Sequence, residues 1–163
     1  MAHIQSFPPV CSTDAKLLIL GSMPGKMSLE KHQYYGHPQN AFWKIMGELA
    51  GADSKSYQER LAALQASGIA LWDVLASCKR ASSLDSHIRE EAANDFGTFF
   101  AQHPHITHVF FNGSKAEQSF RKFVRGKQQL PPLTYHRLPS TSPAHAGMRY
   151  ADKLRAWRAI TRV

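Results

Sequence analysis

The residues best equipped for chemistry stand close together in the stretch Tyr-Tyr-Gly-His-Pro-Gln-Asn, from Tyr34 to Asn40. It combines two aromatic rings, an imidazole and a carboxamide, directly before a predicted helix. Aromatic rings in a polar loop can stack on planar ligands, although Tyr34 and Tyr35 are also compatible with a core role. Asn40 suits either a reactive site or the cap of the helix. This density of functional groups is more typical of a site than of a linker.

A second loop of this kind carries Ser140, Thr141 and Ser142 between two prolines, with His145 after them. A serine nucleophile with His145 as its base is one interpretation, but the Gly-x-Ser-x-Gly pattern of a nucleophile elbow is missing. Small hydroxyl side chains and backbone N–H groups are better suited to phosphate contacts. We therefore expect this loop to bind phosphates.

Three further features follow short apolar segments: the turn Gly21-Ser22-Met23-Pro24-Gly25, the carboxylate Asp73 and the pair Asn112-Gly113. Glycine lets a ligand lie against backbone N–H groups. The turn satisfies neither the dinucleotide fingerprint nor the phosphate-binding P-loop pattern. Asp73 also suits a buried structural carboxylate.

A metal site is one interpretation of His103, His105 and His108. Pro104 separates two of them, and no cysteine or carboxylate cluster accompanies them. Exposed histidines between a helix and a strand explain the pattern better, so we expect no metal and no cofactor.

The apolar pattern predicts four strands alternating with helices. The strands are predicted at 16–20, 69–75, 108–112 and 133–138, and the helices at 41–49, 57–66, 88–102, 114–124 and 150–160. Residues 77–86 are expected to form a polar loop, and residues 1–15 a loosely packed N-terminal arm. This alternation is typical of a mostly parallel sheet with helices on both faces, in which the strands' carboxyl ends share one edge. The features described above would then meet at that edge, where such folds bind ligands.

Composition is consistent with a single domain over residues 1–163 in a reducing cytosol, and we expect a monomer. The chain has 163 residues, is 43% hydrophobic and contains two cysteines, too few for a four-cysteine cluster. The sequence has no run of membrane-spanning length and no secretory pattern at its start. The net charge is +8, and Ser114 to Val163 holds 11 Lys and Arg against 2 Asp and Glu. This asymmetry suits a nucleic-acid partner or a charged soluble surface.

Taken together, these motifs resemble the uracil-DNA glycosylase superfamily, and within it the hypoxanthine-DNA (DNA-deoxyinosine) glycosylases. The resemblance covers almost the whole chain, and the residues that carry it are Gly21–Gly25, Tyr34–Trp43, Leu71–Leu75, Ser83–Ser86, Phe111–Gly113 and Leu138–Ala144.

The resemblance implies a three-layer α/β/α sandwich around a four-stranded, mainly parallel sheet. It implies a monofunctional enzyme of base excision repair that flips and excises hypoxanthine, uracil or both from single- or double-stranded DNA. Mismatch-specific uracil glycosylases have Asn where this chain has Met23, so the resemblance gives the role of positioning water to Asn40. Classical uracil enzymes have His where this chain has Leu138, and the cysteine count excludes the iron–sulfur branches.

The resemblance also implies a division of labour within the site. Tyr35 would stack on the flipped base, backbone groups of Ser22 and Met23 would line the pocket, and Asp73 and Asn112 would contact the base edge. DNA would be held by Ser140, Thr141, Ser142, His145 and Arg149, with Lys115 and Lys153 adding attraction and His145 or Met148 filling the vacated stack. Two alternatives are a flavodoxin-like nucleotide-binding domain and a non-catalytic nucleic-acid-binding module.

Overall fold

The computed structural model describes residues 2–163. Along the chain its elements are β1 (Ala2–Gln5), β2 (Leu17–Gly21), α1 (Lys26–Lys31), α2 (Phe42–Ala50), α3 (Tyr57–Ala66), β3 (Ile69–Asp73), β4 (Leu75–Arg80), β5 (Arg89–Ala93), α4 (Phe96–Gln102), β6 (His108–Asn112), α5 (Ser114–Phe123), β7 (Thr134–Leu138) and α6 (Tyr150–Trp157). Short 3₁₀ turns lie at Asp85–His87 and Arg158–Arg162.

The central sheet consists of the four strands that the apolar pattern predicted. Within residues 2–163 their order is β3-β2-β6-β7, and every pair is parallel. Leu20 of β2 lies in register with Trp72 of β3 and Phe111 of β6. The strands are almost wholly apolar because helices cover both faces of a parallel sheet.

Alternate residues of β2 divide the core into two layers, because successive side chains of a strand point to opposite faces. Leu18 and Leu20 pack with the phenylalanines of α4 and α5. Leu17 and Ile19 pack instead with the buried side chains of α2, α3 and α6. The three-layer α/β/α sandwich is therefore confirmed.

Two predictions for residues 77–102 were wrong. Residues 77–80 are not loop but part of β4, and residues 89–93 are not helix but strand β5. The strands β1, β4 and β5 form a separate antiparallel sheet. Arg-Glu-Glu-Ala-Ala favours a helix locally, but pairing with β4 overrides this preference. The helix α4 begins only after Asp95, whose carboxylate accepts the N–H of Thr98 at 3.1 Å.

The N-terminal arm packs more tightly than predicted. Ile4 of β1 pairs with Cys78 of β4. Further on, Val10 bridges Leu71, and the Trp72 indole donates to the Phe7 carbonyl at 3.1 Å. The arm thus covers the central sheet and supplies an edge strand to the second sheet.

Other element bounds lie within a few residues of the predictions, although α1 was not predicted and the last helix ends as a 3₁₀ turn. Within residues 2–163, we find no helix with the length and apolar character needed to cross a bilayer.

Candidate active site

The carboxyl ends of the four parallel strands open into one pocket of about 700 Å³. Gly21, Asp73, Asn112 and Leu138, at the ends of these strands, all line it. This is the edge at which open α/β sheets bind ligands, and the volume lies in the range of small-molecule sites.

The pocket brings together nearly all of the predicted site residues. Its lining includes Ser22, Met23, Tyr35, Asn40, Asp73, Asn112, Ser140, Thr141, Ser142 and His145. Arg149 is the exception among residues 2–163. It lies just before α6 with its side chain 86% exposed and its Nε 3.4 Å from an oxygen of Asp152. Arg149 is therefore placed to reach a ligand outside the pocket.

Asn40 lines the pocket and makes a local hydrogen bond just before α2, whose N-cap position is Ala41. Its Oδ1 accepts the N–H of Phe42 at 3.0 Å, and its own N–H donates to the His37 carbonyl at 3.0 Å. These contacts fix the side chain at the beginning of α2. An amide oxygen has two lone pairs, so Oδ1 can still accept a hydrogen bond from a water in the pocket.

The adjacent tyrosines differ in environment. Tyr34 is core: it is 4% exposed, and its hydroxyl donates to the Pro8 carbonyl at 2.7 Å. Tyr35 lines the pocket and stacks on the ring of Phe42, with centroids 4.0 Å apart. Its φ of 53° lies in the left-handed region, which costs a non-glycine residue roughly 1–2 kcal/mol. The stack helps to hold this conformation, and burial raises the pKa of the Tyr35 hydroxyl well above its usual range.

Asp73 is a buried carboxylate in the wall of the pocket. It is 3% exposed, and its Oδ2 has no hydrogen-bond partner among the described residues. Burial raises the pKa of Asp73 to about 7; the charge of Asp85 adds to this effect, and Arg80 opposes it. A Cβ on Gly21 would lie 2.6 Å from Oδ1 of Asp73. Glycine at position 21 therefore makes room for this carboxylate.

Asn112 anchors the hydroxyl-rich loop to the sheet. Its Nδ2 donates to the Thr141 hydroxyl at 2.9 Å, and its Oδ1 accepts the Thr141 N–H at 2.9 Å. The Thr141 carbonyl accepts the N–H of Ala41 at 3.0 Å, which joins this loop to the Asn40 loop. The contact of Asn112 with a base edge stays a prediction.

The antiparallel sheet adds site residues that sequence reasoning missed. Asp85 and Ser83 line the pocket, and the Ser22 hydroxyl donates to Asp85 at 2.6 Å. Arg80, at the end of β4, is buried and donates to the Pro24 carbonyl. The stretch Ser83–Ser86 was part of the family resemblance, but the sheet that carries it to the pocket was not predicted.

Two lysines expected to attract DNA are instead engaged with the protein. Lys115 pairs with Glu91. Lys153 is 6% exposed and donates to the His145 carbonyl at 2.8 Å. Lys153 thus supports the loop that carries His145 rather than presenting a surface charge. No three His, Cys, Asp or Glu side chains in the described part of the chain are arranged to hold a metal ion.

The family is decided by a match to the model of the uracil DNA glycosylase superfamily over residues 8–161. This chain belongs to that superfamily. A hypoxanthine DNA glycosylase of Methanosarcina barkeri is 46% identical over 114 residues, covering 69% of this chain and 72% of the relative. A hypoxanthine DNA glycosylase of Methanosarcina acetivorans is 34% identical over 161 residues, which cover 97% of this chain and 98% of the relative.

A solved structure in the uracil DNA glycosylase superfamily supports the same assignment. It is the solution NMR structure of a candidate uracil DNA glycosylase from Methanosarcina acetivorans, with a TM-score of 0.84, 33% identity and coverage of 99% of this chain and 98% of that one. The resemblance found in the sequence is therefore confirmed, and superfamily membership supports DNA glycosylase activity on a DNA substrate.

Proposed function

We propose that this protein excises hypoxanthine from DNA by hydrolysing the N-glycosidic bond of deoxyinosine, as a monofunctional enzyme of base excision repair. The observation that carries the proposal is the single pocket that joins Asn40, Tyr35 and Asp73 at the carboxyl edge of the sheet. The two relatives named hypoxanthine DNA glycosylase favour this base over uracil.

The damaged nucleotide must leave the base stack to reach the pocket. Phe42 covers one face of the Tyr35 ring, so the flipped base stacks on the other face. Ser22 and Met23 line the wall beside it, and both are largely buried. Asp73 then lies at the base edge, with Asn112 in the same wall of the pocket.

Asn40 is the group that positions the attacking water. Its Oδ1 accepts a hydrogen bond from the water and orients an oxygen lone pair toward C1′. The bond from C1′ to N9 breaks as the bond from C1′ to the water oxygen forms, through a state with oxocarbenium character. An amide is too weak a base to ionise water, so catalysis here depends on position and electrostatics.

The hydroxyl-rich loop holds the DNA strand beside the flipped nucleotide. The hydroxyls of Ser140 and Ser142 accept N–H groups of Ser142 and Ala144, at 3.1 and 3.2 Å. These turns shape the loop and leave each hydroxyl hydrogen for a phosphate oxygen. His145 and Arg149 follow on the same side and add contacts to the backbone.

The test is base release from duplex oligonucleotides that carry one deoxyinosine or one deoxyuridine, in the presence of EDTA. Alkali breaks the strand at any abasic site, and a gel shows the product; an undamaged duplex is the control. Cutting at deoxyinosine is expected. Cutting at deoxyuridine alone would replace the proposed substrate, and binding without cutting of either would favour the non-catalytic module.

A further inference from the structure

We propose that Asp73 is the general acid of this site and delivers a proton to hypoxanthine as the base leaves, with Asp85 as the neighbouring carboxylate. This inference rests on the proposed function and goes beyond it. The water positioned by Asn40 attacks the sugar, but it does not stabilise the negative charge that develops on the departing purine. The two carboxylates reach the pocket from different sheets: Asp73 ends β3, and Asp85 follows β4.

The environment of Asp73 favours its protonated form. The side chain is 97% buried, and Oδ2 has no hydrogen-bond donor within residues 2–163. An ionised carboxylate in such a place would lack the donors that normally stabilise it. Arg80 is the cation that opposes protonation, but its Nη2 is directed to the Pro24 carbonyl. Asp73 thus keeps a proton under conditions in which most carboxyl groups have lost theirs.

Asp85 has the opposite environment. It is exposed toward the pocket mouth, and its Oδ1 accepts the Ser22 hydroxyl at 2.6 Å. Its charge, in turn, helps Asp73 to hold the proton. A buried carboxyl group next to an exposed carboxylate is a recurrent arrangement around a catalytic acid.

The chemistry of the leaving group calls for such an acid. As the bond from C1′ to N9 breaks, its electron pair passes into the purine, which would leave as an anion unless a ring nitrogen is protonated. Asp73 donates its proton to an unprotonated ring nitrogen of the base, and neutral hypoxanthine departs. The water that attacks C1′ loses a proton to solvent, and Asp73 regains one from solvent before the next turnover.

Several other groups face this pair and must be separated from it in a pH experiment. Tyr34 and Tyr35 lie within electrostatic reach of Asp73. The other titratable or charged groups around the same pocket are Arg80, His37, His145, Lys26 and Arg137. Because several titratable groups line the pocket, a pH profile of the unmodified enzyme alone would not identify the acid.

The experiment compares single-turnover release of hypoxanthine, between about pH 5 and about pH 9, for the unmodified enzyme, Asp73→Asn and Asp85→Asn. The unmodified rate should fall as pH rises through the pKa of Asp73. Asp73→Asn should lower the rate roughly 100-fold or more at low pH and remove that inflection. Asp85→Asn should retain the inflection and move it to lower pH, because Asp73 loses its neighbouring negative charge.

An Asp73→Asn enzyme with the unmodified pH profile would assign the inflection to another group and overturn the inference. If that variant does not fold, as judged by its unfolding transition, an unshifted inflection in Asp85→Asn would overturn it as well. If the unmodified enzyme releases hypoxanthine at a rate that does not vary with pH, the general-acid role of Asp73 is wrong but the proposed function stands. If it releases no hypoxanthine from deoxyinosine, the proposed function itself is wrong.

Discussion

Asn112 and Thr141 exchange two hydrogen bonds, each 2.9 Å long, across the carboxyl edge of the sheet. Thr141 is 1% exposed, and its carbonyl accepts the N–H of Ala41. One threonine therefore connects the end of β6, the loop proposed to bind phosphates and the residue after Asn40. The same small set of hydrogen bonds therefore holds both the loop proposed to be catalytic and the loop proposed to bind DNA.

This connection predicts the effect of Thr141→Val. Valine keeps the shape but leaves the Asn112 amide without its acceptor in a buried place, which costs about 1–3 kcal/mol of unfolding free energy. Urea unfolding measures the loss, and Thr141→Ser, which keeps the hydroxyl, is the matched control. Equal stability of the valine and serine variants would show that the hydroxyl contact contributes nothing.

Asn40→Ala should reduce base release by about 100-fold or more, because the attacking water loses its position, while DNA binding remains. The variant also loses the contact with the Phe42 N–H, at a cost of about 1 kcal/mol. Asn40→Ser separates the two effects, since a serine hydroxyl can accept the Phe42 N–H but provides no carboxamide. It should recover stability without recovering activity; near-normal turnover in either variant would remove Asn40 from the chemistry.

Ser142→Ala combined with Arg149→Ala should weaken DNA binding and reduce its dependence on salt, because fewer phosphates are neutralised. Fluorescence anisotropy at several salt concentrations measures the slope. Lys127→Ala is the control, since this exposed lysine follows α5 at the opposite edge of the sheet. A slope unchanged in the double variant, or lowered equally by Lys127→Ala, would place the DNA elsewhere.

Gly21→Ala should damage the pocket itself. The new Cβ would lie 2.6 Å from the Asp73 carboxylate and 3.2 Å from the Tyr35 hydroxyl, so both side chains must shift. We expect slower base release and lower stability. Gly25→Ala is the matched control for stability, because its Cβ would make only ordinary 3.6 Å contacts with Ser83. Equal stability losses in both variants would contradict the steric argument.

The raised pKa of Asp73 also predicts how the free energy of unfolding changes with pH. Its folded-state pKa of about 7 lies above the ordinary value of 3.8 for an aspartate, so between these two values the folded protein binds a proton that the unfolded chain has lost. The contribution of Asp73 to stability therefore declines as pH rises from about 4 to about 7. Measured by urea unfolding, the stability of Asp73→Asn relative to the unmodified protein should rise between about pH 4 and about pH 7 and level off above that. The exposed Asp53→Asn should show no such trend.

The central sheet could be predicted because its signals are local. The apolar segment of β2 and the turn that starts at Gly21 indicate a buried strand and its end without reference to any partner. The segment 89–93 misled the prediction because Arg-Glu-Glu-Ala-Ala has the local preference of a helix. Its strand conformation comes from pairing with β4, a long-range contact that no local pattern contains.

The sequence by itself determined the fold class, the family and most of the residues that face the pocket, because residue types, their spacing and the strand ends can be recognised along the chain. Only the tertiary structure decided which of these residues are buried and which hydrogen bonds and charge interactions they make. It buried Asp73 beside Asp85, used Asn112 to hold Thr141, and withdrew Lys153 from the surface. Burial and hydrogen bonding depend on which segments, distant in sequence, come into contact. Both determine the protonation state and reactivity of the side chains in a site.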